Sequence, residues 1–238
     1  MGLAVFHCAD LTGDEVTLDG AEGRHAAVVR RIAAGERVRI TDGRGTFVDG
    51  PVTAVSKSGI TVAVEERSQT SAPQPRFVVV QAVPKGERAE LAVEMLTETG
   101  ADLIVPWNAE RSQFRLNPER ASKTVAKWRA WAFEASKQSR RTWFCEVADI
   151  ASTDQVADLI RRAALGVVLH EEAKRPLAGV VPPTPGETVL VVGPEGGITP
   201  AELDSFGEEP YRLGDTVLRT STAGVAALAV LQSTSRWA

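Results

Sequence analysis

The sequence predicts an α/β protein in which a small β-barrel is followed by a parallel sheet wrapped by helices. From residue 77 onward, short apolar runs alternate with helical patterns, as in a parallel sheet with crossover helices. Residues 1–70 instead carry short alternating segments separated by turn residues. Between them, 68–75 is SQTSAPQP, the composition of an exposed linker. The predicted domains are therefore 1–70 and 76–238.

The N-terminal region contains three segments with strand-like alternation, at 36–41, 46–55 and 59–65. The DGRG sequence that begins at Asp42 is a hairpin-turn signal. One helix is predicted at 22–32, where Ala26, Val29 and Ala33 recur at helical spacing. A small β-barrel with one helix accounts for this pattern.

The C-terminal region alternates between strands and helices. Strands are predicted at 77–83, 103–105, 143–148, 165–170, 189–192 and 211–213, and helices at 87–99, 117–140, 152–164 and from about residue 222. Leu91 and Met95 are expected to face inward on the first helix. The second helix has an apolar stripe formed by Val125, Trp128, Ala132 and Ala135. Trp131 lies in the same helix, where core packing and base stacking are both open.

Composition excludes several classes of protein. The chain has 238 residues, 43% of them hydrophobic and 24% charged, as in ordinary globular proteins. Cys8 and Cys145 provide neither a disulfide framework nor a C-x-x-C metal pair, and no cluster of metal ligands is visible. No apolar run approaches the roughly 18 residues that cross a bilayer, and we expect no signal peptide, because the first residues lack a basic segment and Asp10 interrupts the apolar run early. We expect a cytoplasmic protein without a membrane or metal partner.

Although the net charge is −4, one segment of the chain is strongly basic. Residues 111–141 contain nine Lys and Arg residues but only the acids Glu119 and Glu134. Such a stripe is either a solvated helix face or the footprint of a polyanion partner.

Two glycine-bearing loops follow neighbouring predicted strands. The apolar run at 189–192 stops at GPEGG (193–197), and Thr199, Pro200 and Glu202 then form a helix-start signal. A second loop begins at Gly214. Neither loop matches a phosphate-binding glycine motif, which disfavours a pyrophosphate cofactor. They are either tight turns or a ligand site at the carboxyl ends of the strands.

The sequences GPEGGIT-x-x-E and LG-x-x-x-LR-T-x-TA, at 193–202 and 213–223, resemble the C-terminal signature of the RsmE-type 16S ribosomal RNA uridine-N3 methyltransferases of the SPOUT superfamily. Further matches in order are Arg24-His25 with Arg30, KGER at 85–88, TETG at 97–100, ERS at 110–112 and QS-x-R at 138–141. One departure is Ser221, where the family usually has glutamate.

The resemblance implies a PUA-like RNA-binding barrel, then a SPOUT domain with a deep trefoil knot that binds S-adenosylmethionine and pairs into a homodimer. The implied partner is 16S rRNA of the small ribosomal subunit. The implied cofactor residues are Leu169, His170, Gly193, Pro194, Glu195, Gly196, Gly197, Leu213, Gly214, Val217, Leu218 and Thr220. The RNA-binding candidates are Arg24, His25, Arg30, Lys85, Arg88, Arg111, Arg115, Lys123, Lys127, Arg140 and Arg141. For His25, capping or packing in its helix is the alternative role.

Methylation of uridine nitrogen 3 requires removal of its proton, or stabilisation of the anion by fixed positive charge. Arg219 beside the second loop is the catalytic candidate, because its guanidinium can stabilise that anion. The alternative for Arg219 is an ion pair with Glu195 or Asp215. Two other functions stay open: a non-catalytic RNA-binding ribosome-assembly factor whose knot only dimerises, and a nucleotide-dependent α/β enzyme.

Overall fold

A computed structural model with side chains describes residues 2–84, 86, 88–112 and 118–238. The chain divides into two compact units. The first comprises Met1–Ala72 and Ser136–Phe144, and the second comprises Pro73–Ala135 and Cys145–Ala238. The segment Ser136–Phe144 thus associates with a part of the chain that is distant in sequence, which no local pattern indicates.

The first unit contains a six-stranded sheet and the short helix α1. Its elements are β1 (Ala4–His7), β2 (Glu15–Leu18), α1 (Gly20–Arg24), β3 (Arg37–Thr41), β4 (Thr46–Val55), β5 (Ile60–Ala63) and β6 (Glu66–Gln69). The strand order is β1-β3-β4-β5-β2, β6 pairs with β4, and only the β1–β3 pair is parallel. The three strands predicted from alternation, β3, β4 and β5, are confirmed. Their inward side chains enclose a core that includes Phe6, Ile40 and Ile60.

The predicted helix at 22–32 differs from expectation. After α1 the chain continues as a π-helix over His25–Val29, in which the Arg30 N–H bonds to the His25 carbonyl at 2.8 Å. The wider turn shifts the residues that follow it away from the face that a spacing of 3.6 residues predicts. Ala26 is buried, but Val29 is 67% exposed and Ala33 is exposed, so their predicted common face was wrong.

The second unit contains a five-stranded parallel sheet with helices on both faces. Its elements are β7 (Arg76–Ala82), α2 (Arg88–Thr99), β8 (Leu103–Trp107), α3 (Pro118–Gln138), β9 (Glu146–Val147), α4 (Thr153–Arg162), β10 (Leu165–Val168), β11 (Arg175–Pro176), β12 (Glu187–Val192), α5 (Pro200–Phe206), β13 (Tyr211–Arg212) and α6 (Thr220–Ser233). The strand order is β10-β12-β7-β8-β9, and β11 pairs with β13 separately. The predicted α/β class is confirmed.

Successive residues of the central strand β7 face opposite sides of the sheet, because side chains alternate along a strand. Phe77 and Val79 join one apolar cluster with α2, α3 and α6, whereas Val78 and Val80 join another with α4 and α5. Both faces are therefore covered, which explains why β7 has an uninterrupted apolar sequence.

The apolar stripe of α3 is confirmed, since Val125, Trp128, Ala132 and Ala135 are all buried. Trp131 is half-buried and packs against the same core, which favours the packing interpretation over base stacking.

Two other predictions were wrong. On α2 the buried side chains include Ala92, Val93 and Leu96, whereas Leu91 is 48% exposed and Met95 is only partly buried. A helix that packs closely against its neighbours places small residues in the contact. The spacing of the large apolar residues therefore does not predict which face of α2 is buried. The strand predicted at 143–148 shrinks to β9, because Trp143 instead forms an isolated bridge with Arg44 in the first unit.

Candidate functional site

The loop after β12 is shaped by its glycines. The Gly197 N–H bonds to the Pro194 carbonyl at 2.9 Å, and Gly197 has a φ of 77°, which glycine adopts without strain. A side chain at Gly193 would put its Cβ 2.6 Å from the side chain of Ile198. The loop can therefore adopt this tight turn only with glycine at positions 193 and 197. Without side chains there, the backbone groups of the loop stay accessible to a ligand.

A buried carboxylate fixes the end of this loop. Thr199 and Glu202 form the predicted capping box at the start of α5, with Pro200 at its first position. Glu202 is 4% exposed, and its Oε1 accepts hydrogen bonds from the Glu110 N–H (2.8 Å) and the Thr153 hydroxyl (3.2 Å). The Thr199 hydroxyl also lies 3.0 Å from Glu110 Oε2. These bonds join the GPEGG loop, α4 and the segment after β8.

Arg111 in that segment contacts the loop directly. Its Nη1 donates to the Gly196 carbonyl at 3.2 Å. A Cβ built on Gly196 would lie 3.0 Å from the Arg111 Cβ and 3.1 Å from its carbonyl oxygen. The guanidinium that the sequence assigned to RNA therefore lies against the first glycine loop.

The second loop is brought alongside by strand pairing. Leu169 bridges Tyr211, and the His170 N–H bonds to the Tyr211 carbonyl at 3.0 Å. His170 Nδ1 in turn accepts the Glu172 N–H at 3.2 Å, which orients the ring. After β13 the loop is exposed, with Val217 75% accessible, and it ends at Arg219, the N-cap of α6.

A cavity of about 520 Å³ lies between these loops at the carboxyl ends of β10 and β12. Open α/β sheets bind ligands at this edge. Every predicted cofactor residue lines the cavity, as does Arg219: Leu169, His170, Gly193, Pro194, Glu195, Gly196, Gly197, Leu213, Gly214, Val217, Leu218 and Thr220. Residues that were not predicted to lie at the cavity also line it, including Arg111, Glu171, Glu172 and Tyr211. Their position depends on pairing between distant segments.

The charges around the cavity are mixed. Asp215 pairs with Arg212, at 3.3 Å between Oδ1 and Nη1. Within the part of the chain that the structure describes, no carboxylate pairs with Arg219, so its proposed ion pair with Glu195 or Asp215 does not form. Burial raises the pKa of the Tyr211 phenol, so this wall of the cavity stays neutral.

The predicted RNA-binding residues are divided between the two units. The first unit holds Arg24, His25, Arg30, Arg140 and Arg141, and the second holds Arg88, Arg111, Lys123 and Lys127. Lys85 and Arg115 lie outside the described residues.

The basic stripe is not one uniform exposed face. Lys123 pairs with Glu119, whereas Lys137 is buried against Glu22 at 2.8 Å. His25 is half-buried with its ring edge-on to Phe6, 6.3 Å between centroids.

Two negative findings hold for the described ranges. His, Cys, Asp and Glu side chains there form no group of three or more that could hold a metal ion. Among the same residues, no helix combines the length and apolar character that crossing a bilayer requires.

Comparison with known proteins gives a consistent result. Residues 70–232 match an RNA methyltransferase domain, and residues 18–65 match an RNA methyltransferase PUA domain. Ribosomal RNA small subunit methyltransferase E of Mycobacterium bovis is 42% identical over 234 residues, covering 95% of this chain and 89% of that protein. The Bacillus subtilis protein of the same name is 29% identical over 226 residues, covering 90% and 88%. A solved methyltransferase from Legionella pneumophila, in complex with bound cofactor SAM, superposes with a TM-score of 0.83 at 27% identity over 98% of both chains.

Proposed function

The chain belongs to the RNA methyltransferase family, and on that premise we propose that it transfers the methyl group of S-adenosylmethionine to nitrogen 3 of one uridine in 16S rRNA of the small ribosomal subunit. The observation that carries the proposal is the single cavity into which both glycine loops and Arg219 project. The relatives named as small-subunit rRNA methyltransferases support the substrate class.

The cavity has the properties that a nucleoside cofactor needs. Its volume of about 520 Å³ falls within the usual range for ligand sites. A Cβ on Gly214 would meet no protein atom within 4 Å, so the space beside that backbone is open. Leu169, Leu213 and Leu218 provide apolar walls, and the GPEGG backbone provides hydrogen-bonding groups. We infer that these residues hold S-adenosylmethionine, which supplies an electrophilic methyl group when bound.

Arg219 is the proposed catalytic residue. Uridine nitrogen 3 carries a proton in its neutral form, so the nucleophile is the anion. The Arg219 guanidinium is exposed at the cavity, and no carboxylate among the described residues neutralises it. It therefore stabilises the charge that develops on the uridine ring as the proton leaves. The proton passes to water, because the loop that carries Arg219 is exposed to solvent.

The RNA is proposed to bind both units. The region 1–70 would act as a PUA-like RNA-binding domain, and 76–238 as the SPOUT domain with a trefoil knot formed by the segments around the cavity. The family resemblance and the all-parallel sheet support this division. We place the protein in the cytoplasm, where ribosomal subunits are assembled.

We also propose a homodimer. Small and apolar side chains of α6, including Val225, Ala226 and Ala229, remain partly exposed, and Leu91 on the contacting helix α2 is 48% exposed. Such a surface allows close helix packing against a second copy. Light scattering at micromolar concentration should give the mass of two chains; the mass of one chain would end this part of the proposal.

Calorimetry distinguishes the proposed enzyme from its alternatives. S-adenosylmethionine should bind saturably and ATP should not, and tritiated S-adenosylmethionine should label 16S rRNA in small subunits. RNA binding without cofactor binding would indicate a non-catalytic assembly factor, and ATP binding would indicate a nucleotide-dependent enzyme.

A further inference from the structure

A second cavity, of about 680 Å³, lies within the first unit, and the proposed methyl transfer does not use it. Its walls come from three places in the chain: the N-terminal segment that includes β1, the π-helix with the residues after it, and the end of α3 with the turn that follows.

One side of this cavity is apolar. Phe6 and Ile32 are buried in its floor, whereas Val29 stands 67% exposed at its edge. His25 is half-buried beside them, with its ring edge-on to Phe6. The exposed valine, the imidazole and the apolar floor together form a surface against which a planar ring can pack.

The other side carries positive charge. Four cationic side chains line the cavity against the single carboxylate of Glu36: Arg30, Arg37, Lys137 and Arg140. Arg37 and Lys137 are already ion-paired with Glu65 and Glu22, and Glu36 accepts the Ala33 N–H at 2.8 Å. Within residues 2–84, 86, 88–112 and 118–238, no carboxylate pairs with Arg30 or Arg140. Two guanidiniums therefore remain for an anionic ligand.

The backbone at Arg140 gives a second indication. Arg140 has a φ of 57°, a left-handed conformation at the end of a helix where glycine is usual. Its guanidinium lies against Gly2, since a Cβ on Gly2 would come within 1.7 Å of Nη1. Arg140 thus occupies a strained backbone position that glycine would adopt with less strain. This indicates that the cationic side chain has a role of its own.

We propose that this cavity holds an unstacked nucleotide of the RNA substrate, at a position other than the methylated uridine. Arg30 and Arg140 bind its phosphate oxygens, for which the guanidinium fork is suited, and His25 and Val29 contact its base. A bare phosphate would leave the apolar side empty. The inference rests on the proposed function in one respect, namely that the substrate is RNA.

The structure provides a matched pair of variants. Arg31 also has a left-handed φ, of 56°, and is exposed, but it does not line the cavity. R140G and R31G therefore remove the same charge and relieve the same backbone strain. In the full-length protein, R140G should raise the dissociation constant for a single-stranded oligouridylate about tenfold, the scale for a lost charged hydrogen bond. R31G should change it less than about twofold, and both variants should melt at or above the wild-type temperature.

Base contact is tested separately with V29S. This variant should weaken binding of oligouridylate but leave binding of an abasic oligonucleotide of the same length unchanged. V55S, at another exposed valine of the same unit, is the control. Equal effects of R140G and R31G would overturn the proposal. So would equal competition by oligoglutamate, which would make the cavity a general anion site.

Methylation kinetics separate this inference from the proposed function. R140G should raise KM for small subunits and leave kcat unchanged. If the wild-type protein transfers no methyl group, the proposed function is wrong, whatever the oligonucleotide-binding experiments show. If it methylates and R140G keeps the wild-type KM and affinity, the nucleotide cavity alone is contradicted.

Discussion

The guanidinium of Arg111 donates a hydrogen bond to the carbonyl of Gly196, 3.2 Å from Nη1 to the oxygen. This contact connects the segment after β8 with the first glycine loop. It predicts that Arg111→Ala raises the dissociation constant of S-adenosylmethionine about fivefold, the scale of one net hydrogen bond. Calorimetry measures this, with Arg161→Ala on α4 as the control.

The sequence instead assigned Arg111 to RNA. On that assignment, Arg111→Ala would lower the slope of RNA affinity against salt by about one and leave cofactor affinity unchanged. That outcome would contradict the role in supporting the loop.

Gly214 offers a direct test of where the cofactor lies. A Cβ there meets no protein atom within 4 Å, and the residue does not have a positive φ, so Gly214→Val should leave the fold intact. It should nevertheless reduce S-adenosylmethionine affinity at least tenfold, because the new side chain occupies the cavity. Ala178→Val, exposed and outside the cavity, is the control. Unchanged affinity in Gly214→Val, with native circular dichroism, would place the cofactor elsewhere.

Glu202 should affect the stability of the fold and not the methyl-transfer reaction itself. Glu202→Ala removes the partner of Thr199 in the capping box and leaves the buried N–H of Thr199 without its acceptor, so the free energy of unfolding should fall by about 3 kcal/mol. Urea denaturation measures this loss, and Glu208→Ala, an exposed change nearby, should have almost no effect. A fully stable Glu202→Ala variant with reduced activity would instead imply a direct catalytic role.

The exposed lysines of α3 test the basic stripe. Lys127 is exposed, whereas Lys123 already pairs with Glu119 at 2.7 Å. Lys127→Ala should weaken RNA binding across sequences and lower the salt slope by about one. Lys123→Ala should have the smaller effect, and neither should change cofactor affinity. If both variants bind RNA like the wild type, the stripe is only a solvated face.

The sequence predicted the structural features that depend on residues close together in the chain. The apolar run of β7, the stripe on α3 and the capping box of Thr199 and Glu202 are local patterns, and all three are confirmed. Glycine loops after two strands were also visible locally, whereas the individual cavity-lining residues followed from the family resemblance.

What the sequence missed depends on contacts between distant segments. The partnership of Arg111 with Gly196 and the pairing of Leu169 with Tyr211 join residues separated by tens of positions. The inward face of α2 was misjudged because Leu91 is large, yet small side chains such as Ala92 pack closer. No periodicity indicates the π-helix that exposes Val29.

Arg219 is the residue on which the proposed chemistry depends. Arg219→Ala should lower the methylation rate roughly 10²–10³-fold, the scale for removing one charge-stabilising donor, with little change in cofactor affinity. Raising the pH should partly restore the rate, because more uridine then loses its proton without help. Arg219→Lys should recover part of the rate, since a point charge replaces a planar fork. Ser221→Ala, at a buried position where the family usually has glutamate, should be mild.

The most direct test of the proposed reaction locates the methyl group itself. Small subunits incubated with S-adenosylmethionine and the protein are examined by reverse transcription, which stops at N3-methyluridine because the methyl group blocks its pairing edge. We expect one new stop in 16S rRNA, at a uridine, with the wild-type protein and only a weak stop with Arg219→Ala at the same time point. Methyl incorporation without a stop, or a stop of equal strength with Arg219→Ala, would contradict the proposed reaction.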